Sequence, residues 1–163
     1  MSGDTVLREQ LLTLLRGGKA HMTLQEAVAD FPSKDYNHRP RQVKYTFWHL
    51  LEHIRIAQRD ILDFIRDPNY VSPKWPEGFW PGENELASQD CWDRTLHAIQ
   101  EDMAELQRMV ADPATDLTAP LPHASEYNIL REVLLVADHI AYHLGEFAIL
   151  RQVVGNWPGN RAY

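Results

Sequence analysis

The chain has 163 residues, a formal net charge of −7 and a hydrophobic content of 44%. This length and composition predict one domain, residues 1–163, that can bury its own core without disulfide bonds. The single cysteine, Cys91, excludes an intramolecular disulfide framework and a cysteine-based zinc finger, and the acidic charge argues against binding to nucleic-acid phosphates.

Two helices are predicted near the N-terminus. The first covers residues 5–16, where leucines recur on one face, and Asp4 is its expected cap. A short helix follows over residues 23–29, because Thr23 and Glu26 have the spacing of a capping box.

A second long helix is predicted over residues 47–66, with Thr46 as its cap and an apolar stripe at helical spacing. The segment that follows, YVSPKWPEGFWP at residues 70–81, holds three prolines and two tryptophans. It is too rich in proline for a helix and too apolar for a free linker, so we expect it to lie across the neighbouring helices.

A third long helix is predicted over residues 88–110, capped by Ser88. A fourth follows over residues 128–157, with Asn128 at its start and Gly155 at its end. No segment shows the alternation of a strand. The sequence therefore predicts an all-α fold, with an antiparallel four-helix bundle joined by long connections as the leading architecture.

Two pairs of histidines lie on the predicted helices at a spacing of four residues, His49 with His53 and His139 with His143. This spacing places both imidazoles of a pair on one helix face, where they can bind one metal ion. A chain with 8 His in 163 residues would contain about 0.4 such pairs by chance. Spacing alone therefore leaves open whether these histidines bind metal or are neutral, hydrogen-bonded core residues, and whether His49 or His53 completes a site with the last pair.

The segments WHLLEHIRIAQRDIL (residues 48–62) and LREVLLVADHIAYHLGEFAILRQVVGNW (residues 130–157) resemble the DinB-like, YfiT-like superfamily of metal-binding four-helix bundles. The aromatic, proline-rich segment 70–81 is also similar to a loop in one subgroup of that family. The resemblance implies a zinc, nickel or similar divalent ion held by three histidines. Carried over by motif, these ligands are His53, His139 and His143, and His49 is a neighbour that the family does not require.

The chain departs from the family pattern at two places. Residues 123–128 read HASEYN, where the subgroup usually has a glycine-containing HG-x-GQT loop. Glu146 stands where the subgroup usually has glutamine. A carboxylate about one turn beyond His143 could contact a metal-bound water, provide a fourth ligand, or simply be solvated or paired along the helix.

The resemblance and the three-histidine set together predict a metal-dependent enzyme, a thiol-dependent transferase or a hydrolase, that acts on a small molecule with a low-molecular-weight thiol as co-substrate. Trp75, Phe79 and Trp80 are candidates for a substrate wall, although plain packing of the loop explains them as well. The alternative is a non-catalytic, metal-stabilised bundle that works by self-association in a stress response.

We expect a homodimer that does not bind nucleic acid. The chain shows no presequence and no apolar stretch near the roughly 20 residues that span a bilayer. These features predict a cytoplasmic protein without a membrane partner.

Overall fold

Five α-helices account for most of the part of the chain that the computed structural model describes, residues 2–158. Short 3-10 turns at Ser33–Asp35 and Glu77–Phe79 interrupt two of the connections. A small antiparallel pair of strands, β1 and β2, precedes the last helix. In chain order the helices and strands are α1 Gly3–Arg16, α2 Leu24–Val28, α3 Phe47–Arg66, α4 Gln89–Ala111, β1 Pro120–Leu121, β2 Ala124–Asn128 and α5 Ile129–Val154.

The expected caps of four helices are confirmed. The side chains of Thr46, Ser88 and Asn128 each accept a hydrogen bond from a backbone N–H of the first turn of the helix that follows. Thr23 and Glu26 form both hydrogen bonds of a capping box. These contacts satisfy backbone donors that have no partner inside the helix, which is why the boundaries agree with the sequence.

The start of α1 was predicted incorrectly. Ser2, and not Asp4, is its N-cap and accepts a hydrogen bond from the backbone N–H of Thr5. Asp4 lies within the first turn, where its carboxylate accepts a 2.8 Å hydrogen bond from Arg8 one turn later. Because both Ser2 and Asp4 are good capping residues, side-chain chemistry alone does not separate the two positions.

The expectation of a chain without strands was also wrong. The HASEYN segment contains β2, which pairs with β1, and the two-residue β1 is too short to show a sequence period. His123 Nε2 lies 2.9 Å from the Phe64 carbonyl oxygen, and the Tyr127 ring meets the Phe64 ring edge to face. These contacts hold the hairpin against the C-terminal end of α3.

The four long helices contact one another in a cycle. Helix α3 packs against α4 and α5, and α1 packs against the same two helices. Two groups of buried apolar side chains fill the interior, one rich in aromatic rings around Phe47 and Phe147 and one aliphatic around Leu62 and Leu106. Ile140 on α5 packs against both groups. Helices α3 and α5 are therefore held side by side along much of their length.

Helix α5 is an exception to the expectation that no segment is apolar enough to cross a membrane. By length and composition it could span a bilayer. The core helix of a soluble protein can have the same length and composition, and Val133, Val136 and Phe147 of α5 lie in the core. The absence of a membrane partner stays a prediction.

Candidate metal centre

The structure brings together the three histidines that the motif comparison selected. His53 lies on α3, and His139 and His143 lie one turn apart on the facing side of α5. His53 Nε2 lies 3.1 Å from Nε2 of His143 and 3.1 Å from Nε2 of His139. One ring nitrogen from each of the three residues lies within 4.8 Å of the other two, which is close enough for all three to bind one ion at the usual zinc–nitrogen distance of about 2.0–2.1 Å.

The far side of two of these rings is held by an acceptor. Nδ1 of His53 lies 2.8 Å from the backbone carbonyl oxygen of Phe79, and a carbonyl oxygen can only accept. Nδ1 of His143 lies 2.8 Å from the carboxylate of Glu146, which accepts when ionised. Both Nδ1 atoms then carry the proton, so both Nε2 atoms present a lone pair to the point where the rings meet.

Two lone pairs that face each other at 3.1 Å repel unless a cation or a proton lies between them. A proton is a poor candidate at neutral pH. Burial, followed by the charges of the neighbouring histidines, lowers the pKa of His143 to about 3. Burial, and then the charge of His53, lowers the pKa of His139 to about 4, and burial also lowers the pKa of His53. Neutral imidazoles with converging lone pairs are the ligands that zinc and nickel take, so these residues fit a divalent ion.

His49 lies outside this group. Its side chain is buried, and its Nε2 lies 2.9 Å from the carbonyl oxygen of Glu85 in the connection before α4. It therefore ties that connection to the first turn of α3. Spacing alone left open whether His49 or His53 lies beside the last histidine pair. The structure places His53 there, one turn further along α3 than His49.

Of the roles that the sequence left open for Glu146, the structure shows pairing along the helix. Its carboxylate is paired along the helix with Nδ1 of His143, three residues earlier. That contact is on the side of the imidazole away from Nε2. Glu146 is therefore placed to hold the orientation and tautomer of His143, as carboxylates do behind histidine ligands.

Within the aromatic segment, residues 70–81, the Trp80 ring packs against the histidines. The Trp80 ring lies parallel to the His53 ring, with 4.0 Å between centroids and 2° between planes. Phe79 contributes its backbone carbonyl, and Trp75 is 66% exposed. Tyr142 meets the His143 ring edge to face and is itself 70% exposed. Trp80 is thus the residue of this segment that forms a wall beside the site.

The backbone carbonyl of Phe79 is a functional contact that sequence reasoning missed. It fixes the proton on His53 Nδ1, yet every residue type has such a carbonyl, so no side-chain pattern could reveal it. The contact between Glu146 and His143 had a weak signal in the sequence, because a carboxylate three residues after a histidine can reach its ring on a helix.

Comparison with known protein families supports the interpretation of the site. The family model of the DinB superfamily matches residues 18–147, which include α3, α4 and both histidines of α5. Comparisons with curated proteins and with solved structures gave no match. Since the family model covers most of the chain and includes all three converging histidines, the chain belongs to the DinB superfamily.

Proposed function

We propose that the protein binds one divalent metal ion, zinc or nickel, through His53, His139 and His143, and that it is a metal-dependent enzyme acting on a small molecule. The observation that carries this proposal is the convergence of three Nε2 atoms with the Nδ1 protons of two rings held on the far side. Three protein ligands are typical of catalytic zinc, whereas structural sites usually have four.

The arrangement of the long helices supports the four-helix bundle that the family resemblance implies. Helices α1, α4, α3 and α5 contact one another in a closed cycle. Bundles of this kind build their metal sites from inward-facing side chains on neighbouring helices, as α3 and α5 do here.

We propose a thiol-dependent transferase or a hydrolase as the activity. When bound, a divalent ion would supply the positive charge that lowers the pKa of a water or a thiol and so produces a nucleophile at neutral pH. The chain's own residues prepare the site for this role. Glu146 and the Phe79 carbonyl hold two imidazoles in the tautomer that binds metal, and the Trp80 ring shields one side of His53 from solvent.

The second candidate is a metal-stabilised bundle that acts through self-association. One observation favours it: the outer face of α5 carries apolar side chains at intervals of seven and four residues, as a helix contact surface does. Their exposed fractions are between 40% and 70% for Leu135, Tyr142, Ile149 and Val153. This apolar stripe supports a homodimer under either function.

Metal analysis of the purified protein and calorimetric titration of two matched variants test the site. His53→Ala should weaken metal binding by two orders of magnitude or more, roughly the loss of one of three ligands. His49→Ala should change it less than about threefold, because the His49 ring bonds to a loop carbonyl. Equal losses would mean that His49 is also a ligand, and a larger loss for His49 would reverse the assignment.

A screen of thiol-conjugation and hydrolase reactions on metal-loaded protein tests the activity, with His139→Ala as the control. Turnover that requires both metal and His139 is the expected result. If the panel shows no turnover, and the metal-bound protein has a fourth ligand from the chain, the self-association function replaces the enzyme. The net charge of −7 supports the further proposal that nucleic acid is not among the partners. We also propose that the protein is cytoplasmic.

A further inference from the structure

A cavity that is separate from His53, His139 and His143 lies between α1, α4, α5 and the start of α2. Its volume is about 340 Å³, at the lower end of the range for small-molecule sites, roughly 300–1,000 Å³. On α5 it is lined by Ala137, Ile140 and Leu144. At about 100° per residue these side chains lie about 110° around the helix from the mean direction of His139 and His143. The cavity and the metal centre therefore occupy different faces of α5.

The cavity occurs where the two groups of core side chains meet. Leu24, Ile99 and Leu144 belong to the aromatic-rich group, whereas Leu15 and Met103 belong to the aliphatic group, and all five line the cavity. Protein interiors are normally packed as densely as organic crystals. A gap of this size beside buried leucine and isoleucine side chains leaves their surfaces without partner atoms, which an apolar occupant would supply.

The size of the gap limits the occupant. A cavity of about 150 Å³ lined by apolar side chains can bind benzene, so a cavity of about 340 Å³ has room for a group about twice as large. An alkyl chain of about eight carbons, or a small ring system, fits this limit.

The charged and polar side chains of the lining indicate which polar head group an occupant of the cavity would carry. The chain contains 23 Asp and Glu residues against 16 Lys and Arg residues, yet the described residues that line this cavity include no carboxylate and one guanidinium, Arg16. Arg16 is exposed at the end of α1, and in the described part of the chain no ion pair involves it. The imidazole of His21, the hydroxyl group of Thr23 and the amide groups of Gln25, Gln100 and Gln107 complete the polar lining. An anion with hydrogen-bond acceptors matches this charge and these donors.

We propose that this cavity is a binding site for a small amphipathic monocarboxylate, with its apolar part between α1, α4 and α5 and its carboxylate beside Arg16. The proposal does not depend on the metal centre or on the proposed activity, because none of the three histidines lines the cavity.

The test is a titration of the metal-free protein with octanoate at pH 7.5, followed by two-dimensional NMR of the backbone amides, with 1-octanol as the matched uncharged probe. Octanoate should shift the amides of residues around the cavity, such as Ala104 and Ala137. It should bind more tightly than 1-octanol, and the same shifts should occur in His139→Ala, which excludes a carboxylate bound at the metal centre.

Two variants separate the parts of the proposal. Ala104→Phe places a ring in the cavity and should weaken octanoate and octanol alike by roughly tenfold or more. Arg16→Gln should weaken octanoate by about two- to fivefold, the size expected of an exposed ion pair, and leave octanol unchanged. Circular dichroism of both variants shows whether the fold is kept, and Arg16→Gln lies at an exposed position where folding should be unaffected.

Several results would overturn the proposal. If wild-type protein shows no saturable shifts with millimolar octanoate, the cavity is not a site for this class. If folded Ala104→Phe binds octanoate as wild type does, the probe is bound elsewhere, for example on the exposed face of α5. If octanol binds as tightly as octanoate and Arg16→Gln changes neither, the carboxylate specificity is wrong.

Discussion

The neutral imidazoles of the half-buried His139 and the buried His143 should make the metal-free protein unusually sensitive to mild acid. Burial lowers the pKa of His139 to about 4 and of His143 to about 3, whereas a histidine in an unfolded chain has a pKa of about 6.5. As pH falls below about 6.5, the unfolded chain takes up protons at both positions and the folded chain does not. Stability is therefore complete above that pH and decreases as pH falls towards the folded pKa values.

The size of the effect follows from these pKa values. At pH 5 each histidine that stays neutral only in the folded state costs about 2 kcal/mol relative to pH 8, since one pKa unit corresponds to about 1.36 kcal/mol. His143 is 8% exposed and should contribute about the full amount. His139 is only half-buried, so we reduce its contribution to about 1 kcal/mol for solvent screening. The two together should lower the free energy of unfolding by about 3 kcal/mol.

Urea unfolding of metal-free protein at pH 8 and pH 5 measures this loss. The reference is a His139→Gln/His143→Gln double variant, which keeps side chains of similar size that do not titrate. Burial raises the pKa of Glu146 and of Asp102, which acts in the opposite direction, but both carboxyl groups are present in both proteins. With a denaturant dependence of about 2 kcal/mol per molar, the urea midpoint of wild type should fall about 1.5 M further than that of the variant.

An exposed histidine provides the control for this experiment. The His97 side chain is 70% exposed on α4, so comparing His97→Gln with wild type at both pH values measures the effect of a His→Gln change outside the metal centre. If the double variant also loses as much stability as wild type between pH 8 and pH 5, within about 0.5 kcal/mol, the buried histidines do not control acid stability and the reasoning fails.

Three further results follow from the structure. Metal-free protein should keep its helical circular dichroism, because the chain is long enough to bury its own core. Metal at about 100 times its dissociation constant should raise the free energy of unfolding by about 2.7 kcal/mol. An apo protein without a helical signal would refute the first expectation. Glu146→Ala should weaken metal binding by about ten- to a hundredfold, since the Glu146 carboxylate bonds to His143 Nδ1, and calorimetry giving an unchanged affinity would mean that Glu146 is a bystander. Arg151→Met should lower the free energy of unfolding in urea by about 2–4 kcal/mol, because Arg151 is fully buried and donates to the carbonyl oxygens of Ala27 and Ala29; a loss below about 1 kcal/mol would show that these carbonyls find other partners.

The helices and the shared face of His139 and His143 could be predicted from the sequence because both depend on local spacing. Thr46, Ser88 and Asn128 cap helices through hydrogen bonds that span three residues, and His139 and His143 share a helix face by geometry alone. The relation of His53 to that pair came from motif resemblance. Residues 53 and 139 are far apart in the chain, so no local rule links them.

Tertiary structure decided the features that depend on distant contacts. The two strands pair with each other, and the hairpin that they form packs against Phe64 on α3. A two-residue strand is too short to show a sequence period. The proton positions of the site depend on the Phe79 carbonyl, which is chemically the same in every residue, and on packing that brings segment 70–81 over α3. The spacing of residues along one helix determines which side chains share a face, but only the packing of helices against one another determines which faces meet and where a gap such as the cavity beside Arg16 remains.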